Sequence, residues 1–246
     1  MIEKVIQEIK LFLKNDSPYL TDDQKSRMYK ILNSDNPNFK AYGIKHSEIE
    51  KFIRKLDKKY QLDYEIVSDV FKVLIKSDLH DEKMTCILLL NRFKKNFTKK
   101  TIEMIQKFIP SYFDTWAITD TTMIRVIGPF LGKKGNEELA QETIAEWSTS
   151  DNLWLKRASL VILLKLIMIN KDFDEEYVFG IIEKMLKYPE DYIHKGIGWL
   201  LKTCSKFQPE IIYRYLLRNN TKLPRLILRY GSEKLPKENR LEILSR

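Results

Sequence analysis

The chain has 246 residues, with 43 Lys and Arg against 34 Asp and Glu and a formal net charge of +9. With 43% apolar residues and only 8 Gly and 8 Pro it can bury a substantial core, which excludes a disordered or collagen-like polymer. Its two cysteines, Cys86 and Cys204, exclude a disulfide framework and a four-thiolate metal site, and point to a reducing, cytoplasmic setting.

The opening segment MIEKVIQEIKLFLK places Val5, Ile6, Ile9 and Leu13 at three- and four-residue steps, which predicts an amphipathic helix of the fold and not a signal peptide. Asn15-Asp16-Ser17-Pro18 ends it, and Ser34-Asp35-Asn36-Pro37-Asn38 forms the next break. Ile49, Phe52, Ile53 and Leu56 draw a second stripe; Ile102, Ile105, Phe108 and Ile109 draw a third, which stops at Pro110. Further stops fall at 132–136, 148–152, Tyr188-Pro189 and Pro209. The longest apolar run, 160–169, is interrupted by Lys165 and is far shorter than the roughly 20 residues a bilayer requires, so no membrane partner is expected. The pattern predicts an all-α chain of about a dozen helices. No Ser/Gly-rich linker divides it, so a single domain over 1–246 is expected.

Three segments share one form: DEKMTCILLLNRF, NLWLKRASLVILLKL and YIHKGIGWLLKTC each set a basic residue and a small or medium one before an apolar helical run. Their registers are Lys83-Met84, Arg157-Ala158 and Lys195-Gly196, separated by 74 and 38 residues, so a missing member belongs near 120. TWAITDTTMIRVIGPFL occupies that place with an acid, Asp120, where the others carry a base. A period of 37 to 38 lies close to HEAT and armadillo repeats, whose helical hairpins stack into a curved solenoid. The expected architecture is therefore a curved solenoid of HEAT-like hairpins with a basic concave face, on which Lys83, Asp120, Arg157 and Lys195 form a row. Asp120 reads equally as a helix N-cap or a salt-bridge partner.

Other chemistry is disfavoured. There is no Gly-x-Gly-x-x-Gly, Walker loop or His-Glu-x-x-His, and His46, His80 and His194 lack ligand spacing. Cys86 within CILLL reads as core. From 214 to 246 nine Lys and Arg face three Glu, a net +6. There Arg214, Arg218, Arg225 and Arg229 alternate with Tyr213, Tyr215 and Tyr230. Such a set suits phosphate oxygens, and equally a solvated helix face. Trp116 lies one turn before Asp120, Trp154 three residues before Arg157 and Trp199 four after Lys195. Tryptophan at helical spacing is core by default, but Trp116, Asp120, Arg157 and Trp199 could meet in one shallow pocket of a solenoid.

At these residues the sequence resembles the AlkD-type DNA alkylation-repair glycosylases, a HEAT-like family, most strongly from about residue 112 to 236. TWAITD resembles the family's Trp-Asp-x-x-Asp segment, NLWLKRASL the segment with its active-site arginine, and HKGIGWLLK its Lys-Ala-Ile-Gly-Trp-x-Leu-Arg stretch. LPRLILRYGSEKLP and AYGIK resemble further family segments, while Ala117 stands where an acid is common and Gly196 where an alanine is. The resemblance implies excision of positively charged alkylated purines, N3-alkyladenine and N7-alkylguanine, from duplex DNA in base excision repair, without flipping the lesion into a deep pocket. It implies Asp120, Trp116, Trp199 and Arg157 as the catalytic group. Lys83, Lys156, Lys195, Arg214, Arg218, Arg225 and Arg229 are the expected DNA-binding cations. No metal or organic cofactor is needed, and a monomer is expected to suffice. The competing readings are a non-catalytic HEAT-like module that binds DNA or protein, and a protein scaffold. Asp120 discriminates against the binding module, because an acid facing phosphates weakens simple duplex binding, and the basic C-terminus argues against the scaffold.

Overall fold

Local rules account for most of the helices in a computed structural model that describes residues 1–245; Arg246, the last of the C-terminal cations, lies outside the described residues. Among the described residues the secondary structure is helical, and extended pairing is confined to an isolated bridge between Lys40 and Leu79. Helix α1 spans Ile2–Asn15 and buries the predicted stripe Val5, Ile6, Ile9 and Leu13. Helix α2, Asp22–Leu32, opens on a capping box in which Thr21 and Gln24 exchange side-chain-to-backbone bonds, and it ends on Asn33 in the left-handed conformation. Helix α3, His46–Tyr60, buries Ile49, Ile53 and Leu56, and α4, Tyr64–Leu74, is capped by Asp63.

Helix α5, His80–Arg92, is buried continuously from His80 to Leu90, so its apolar residues surround the axis and do not form a stripe. It packs against α1, α3, α4 and α7 (Trp116–Thr122) and is the centre of the first compact unit, Met1–Val126. Helix α6, Lys99–Tyr112, runs through Pro110, which was expected to stop it. The cost is confined to the last turn: the ring removes the N–H that would bond the carbonyl four residues earlier, and the helix ends two residues later at Tyr112.

The predicted continuous run after Trp116 is also divided. Residues Met123–Ile127 form a π-helical turn between α7 and α8, Gly128–Leu131. Pro129 cannot donate to the carbonyl four residues earlier, and a widened turn relieves the clash that its ring would cause there. The boundary between the two compact units falls inside this helical turn, with no linker.

The second unit, from Ile127 onward, is centred on α10, Leu153–Asn170, buried without a break from Trp154 to Leu164. It packs against α8, α9 (Glu137–Ser148) and α12 (Asp191–Cys204); α11 (Glu175–Met185) packs on α9, α13 (Pro209–Arg218) and α14 (Arg225–Gly231) pack on α12, and α15 (Lys237–Leu244) packs on α13 and α14. Cys86 and Cys204 are buried free thiols; burial pushes Cys86 well above its ordinary pKa and Cys204 up to about 12, so neither is a nucleophile at neutral pH. Among the described residues no helix is long and apolar enough to cross a membrane.

Candidate active site

The four register residues occupy equivalent places. Lys83 is the fourth residue of α5, and Asp120, Arg157 and Lys195 are the fifth of α7, α10 and α12. Their environments then diverge.

Asp120 is not a helix N-cap. That role belongs to Thr115, whose hydroxyl accepts from the Ile118 amide at 3.3 Å. Asp120 sits mid-helix and is 7% exposed, with half-buried Trp116 one turn earlier on the same helix. The hydroxyls of Thr119 and Thr122 donate to the carbonyls of Thr115 and Ile118 in the preceding turn. The Trp116 indole N–H donates to the Ile31 carbonyl at 2.9 Å, so the ring is held by its edge.

Lys83 corrects an expectation. A phosphate contact needs an ammonium at the surface, but this one is 2% exposed and donates to Asp114 Oδ2 at 2.8 Å and to the Tyr112 carbonyl at 2.7 Å. It is a structural cation that ties α5 to the residues entering α7. Asp114 completes this arrangement and was missed. The available signal was its position two residues before Trp116, just ahead of the capping threonine.

In the second unit, Arg157 is 5% exposed and its Nη1 donates to the Tyr192 carbonyl at 2.6 Å. Its guanidinium carbon lies 5.9 Å from the Tyr192 ring centroid. Lys156, expected to bind DNA, is also internal. It pairs with Glu190 at 3.1 Å, and its ammonium sits 3.8 Å from the centroid of the Tyr188 ring. Burial raises the Glu190 carboxyl, but a backbone N–H and the Lys156 ammonium outweigh it and hold the group below its ordinary pKa. Lys195 is half-buried, 3.8 Å from Asp191.

The tryptophans separate as core and surface. Trp154 is 3% exposed and packs on Tyr192, whereas Trp199 on α12 is half-buried, like Trp116 on α7. Arg214 and Arg218 on α13 and Arg225 and Arg229 on α14 are exposed, with Arg225 donating to the Leu244 carbonyl. The interleaved tyrosines are structural and do not extend this set: Tyr213 bonds Glu242, Tyr215 stacks on Phe179 and Tyr230 packs against Gly198. A cavity of about 240 Å³ bounded by α9, α10 and α11 contains none of these candidate residues.

Comparison with known proteins places this helical arrangement. A solved structure described as a predicted DNA alkylation repair enzyme from Enterococcus faecalis matches with a TM-score of 0.70 at 19% identity, covering 90% of this chain and 99% of that one. The two share an all-helical fold. A search of curated proteins gives no match. The family described as DNA alkylation repair enzyme matches residues 18–235, and the chain belongs to it.

Proposed function

We propose that the protein is a DNA glycosylase that excises positively charged alkylated purines, N3-alkyladenine and N7-alkylguanine, from duplex DNA. The observation that carries this reading is the α7 pair: a carboxylate, Asp120, one helical turn from a half-buried indole, Trp116, in a chain of a DNA alkylation repair family. The equivalent helix positions of residues 83, 120, 157 and 195 support reading the helices as HEAT-like repeats.

The chemistry suits the residues. An alkylated purine already carries positive charge, so its glycosidic bond breaks with the electron pair going to the base, which leaves neutral and needs no general acid. The cost lies in the cationic, oxocarbenium-like sugar that remains. Asp120 supplies the opposing charge, and the negative ring face of Trp116 adds to it; the family resemblance implies the same role for Trp199. Water then adds at the anomeric carbon and its proton passes to solvent. Arg157 is internal, like Lys83, and is held by the Tyr192 carbonyl, so it is a positioning cation, and duplex contacts fall to Lys195, Arg214, Arg218, Arg225 and Arg229.

Single-turnover release of bases from methylated duplex tests the proposal. Asp120→Asn is expected to lower the release rate by about 100- to 1,000-fold while binding undamaged duplex as well as or better than wild type. Full activity in this variant overturns the assignment of Asp120. Duplex binding by wild type without base release favours the non-catalytic binding module.

A further inference from the structure

Helix α2 is held in an unusual way. None of its residues is buried, so it is not anchored by a hydrophobic face. Its attachments are few and specific. The Tyr29 ring meets Phe39 edge-on at 5.3 Å, and the Tyr29 hydroxyl accepts from the Ala41 amide at 3.3 Å. At its C-terminal end the Ile31 carbonyl accepts from the Trp116 indole. The last four carbonyls of a helix lack intrahelical partners and carry its partial negative charge. The Trp116 N–H therefore meets an acceptor with a real need for a donor.

The strap joining α2 to α3 is firmly fixed. Lys40 donates its amide to the Asp78 carbonyl at 2.9 Å, and the His80 amide donates to Lys40 at 2.8 Å. Asp81 accepts from the amides of Tyr42 and Ile44 at 2.7 and 2.9 Å. Asn36 bonds Asp78 at 2.9 Å and reaches Asp114 Oδ2 at 3.5 Å, the oxygen that Lys83 also holds. A rigid path thus runs from the N-terminal end of α5, through Phe39 and Tyr29, to α2 and the edge of the Trp116 ring.

We propose that α2, seated by Tyr29, is the positioning element for Trp116: the Ile31 carbonyl fixes the plane of the indole and thereby the direction of its negative face. This inference rests on the glycosylase reading above for its catalytic meaning. A half-buried indole without this bond would sample several rotamers, and only one presents its face to a given point. Donation of the N–H to a carbonyl also shifts electron density into the ring, which strengthens its attraction for a cation.

The test is Tyr29→Ala, with Tyr29→Phe as the conservative partner, read on the full chain in three ways. Four indole N–H resonances are expected, one per tryptophan, with that of Trp116 identified by its loss in Trp116→Phe. In Tyr29→Ala this resonance should shift and lose protection from solvent exchange. Single-turnover release should fall about tenfold, affinity for undamaged duplex should hold, and Tyr29→Phe should recover most of the rate because it keeps the ring contact. Melting temperature should change little, because no residue of α2 is part of the buried core. An unchanged indole resonance, an unchanged release rate once the indole is freed, or a rate loss matched by a lowered melting temperature each overturns the proposal. If wild type releases no base, the glycosylase reading fails and the catalytic meaning falls with it, while the indole resonance still decides whether α2 holds Trp116.

Discussion

His80 shows how a residue's neighbours set its charge. Burial lowers the imidazole pKa from its ordinary 6.5; Asp81 and Asp114 oppose this, and His46 and Lys83 add to it. Nδ1 is enclosed without a hydrogen-bond partner, as expected of a neutral ring. Because the folded value is lowered, the unfolded chain binds the proton first as pH falls. The stability from neutral His80 is therefore complete above about 6.5 and is lost as pH drops toward the folded value. Melting temperature should fall between pH 7.5 and 5.5, and His80→Gln should reduce that fall without abolishing it, since burial lowers the pKa of His46 as well. An identical pH profile in the variant would show that His80 titrates alike in both states.

At the level of elements, α12 and α14 depend on a missing side chain. A Cβ on Gly198 would lie 2.4 Å from the Tyr230 Cβ and 3.5 Å from the Ile227 carbonyl, so neither α14 backbone nor the root of Tyr230 can yield without a helix shift. Gly198→Ala should cost about 1–3 kcal/mol, measured by denaturant unfolding. Two residues earlier the same change should behave differently. A Cβ on Gly196 meets the Leu160 Cδ1 at 3.0 Å, the far end of a flexible side chain, so Gly196→Ala should fall between neutral and a gain of about 1 kcal/mol from helix propensity. Equal losses at both positions would contradict this account of the α12–α14 contact. The GIGW pattern on α12 is visible in the sequence, but which glycine is indispensable depends on the residue opposite.

For the whole molecule, the +9 charge gives duplex binding a definite signature. If the exposed arginines of α13 and α14 contact phosphates, Arg229→Glu should weaken binding to all duplex sequences alike. It should also reduce the slope of log affinity against log salt by about 1. Arg225→Glu is a less clean probe, because Arg225 also holds the Leu244 carbonyl near the chain end. A sequence-dependent loss, or none in a salt titration, would leave this segment a solvated face.

The helical class, the family, most of the punctuated boundaries and the register that places residues 83, 120, 157 and 195 fourth or fifth in their helices were legible in the amino-acid order. These are local properties, carried by apolar spacing and turn chemistry within one or two turns of chain. The sequence also separated Trp154 from Trp116 and Trp199, although through the resemblance and not through periodicity, since all three lie within one helical turn of a register residue. The burial of individual cations was legible only in three dimensions. Lys83 became internal because Asp114, 31 residues away, meets it in the core, and Lys156 because Glu190 and Tyr188 enclose its ammonium. A charged side chain is driven inward only when a partner offsets the loss of water, and here that partner comes from a connecting segment about 30 residues away in the chain. The bond from Trp116 to α2 has the same origin: it joins groups 85 residues apart that only folding brings together, which the spacing of residues along one helix does not encode.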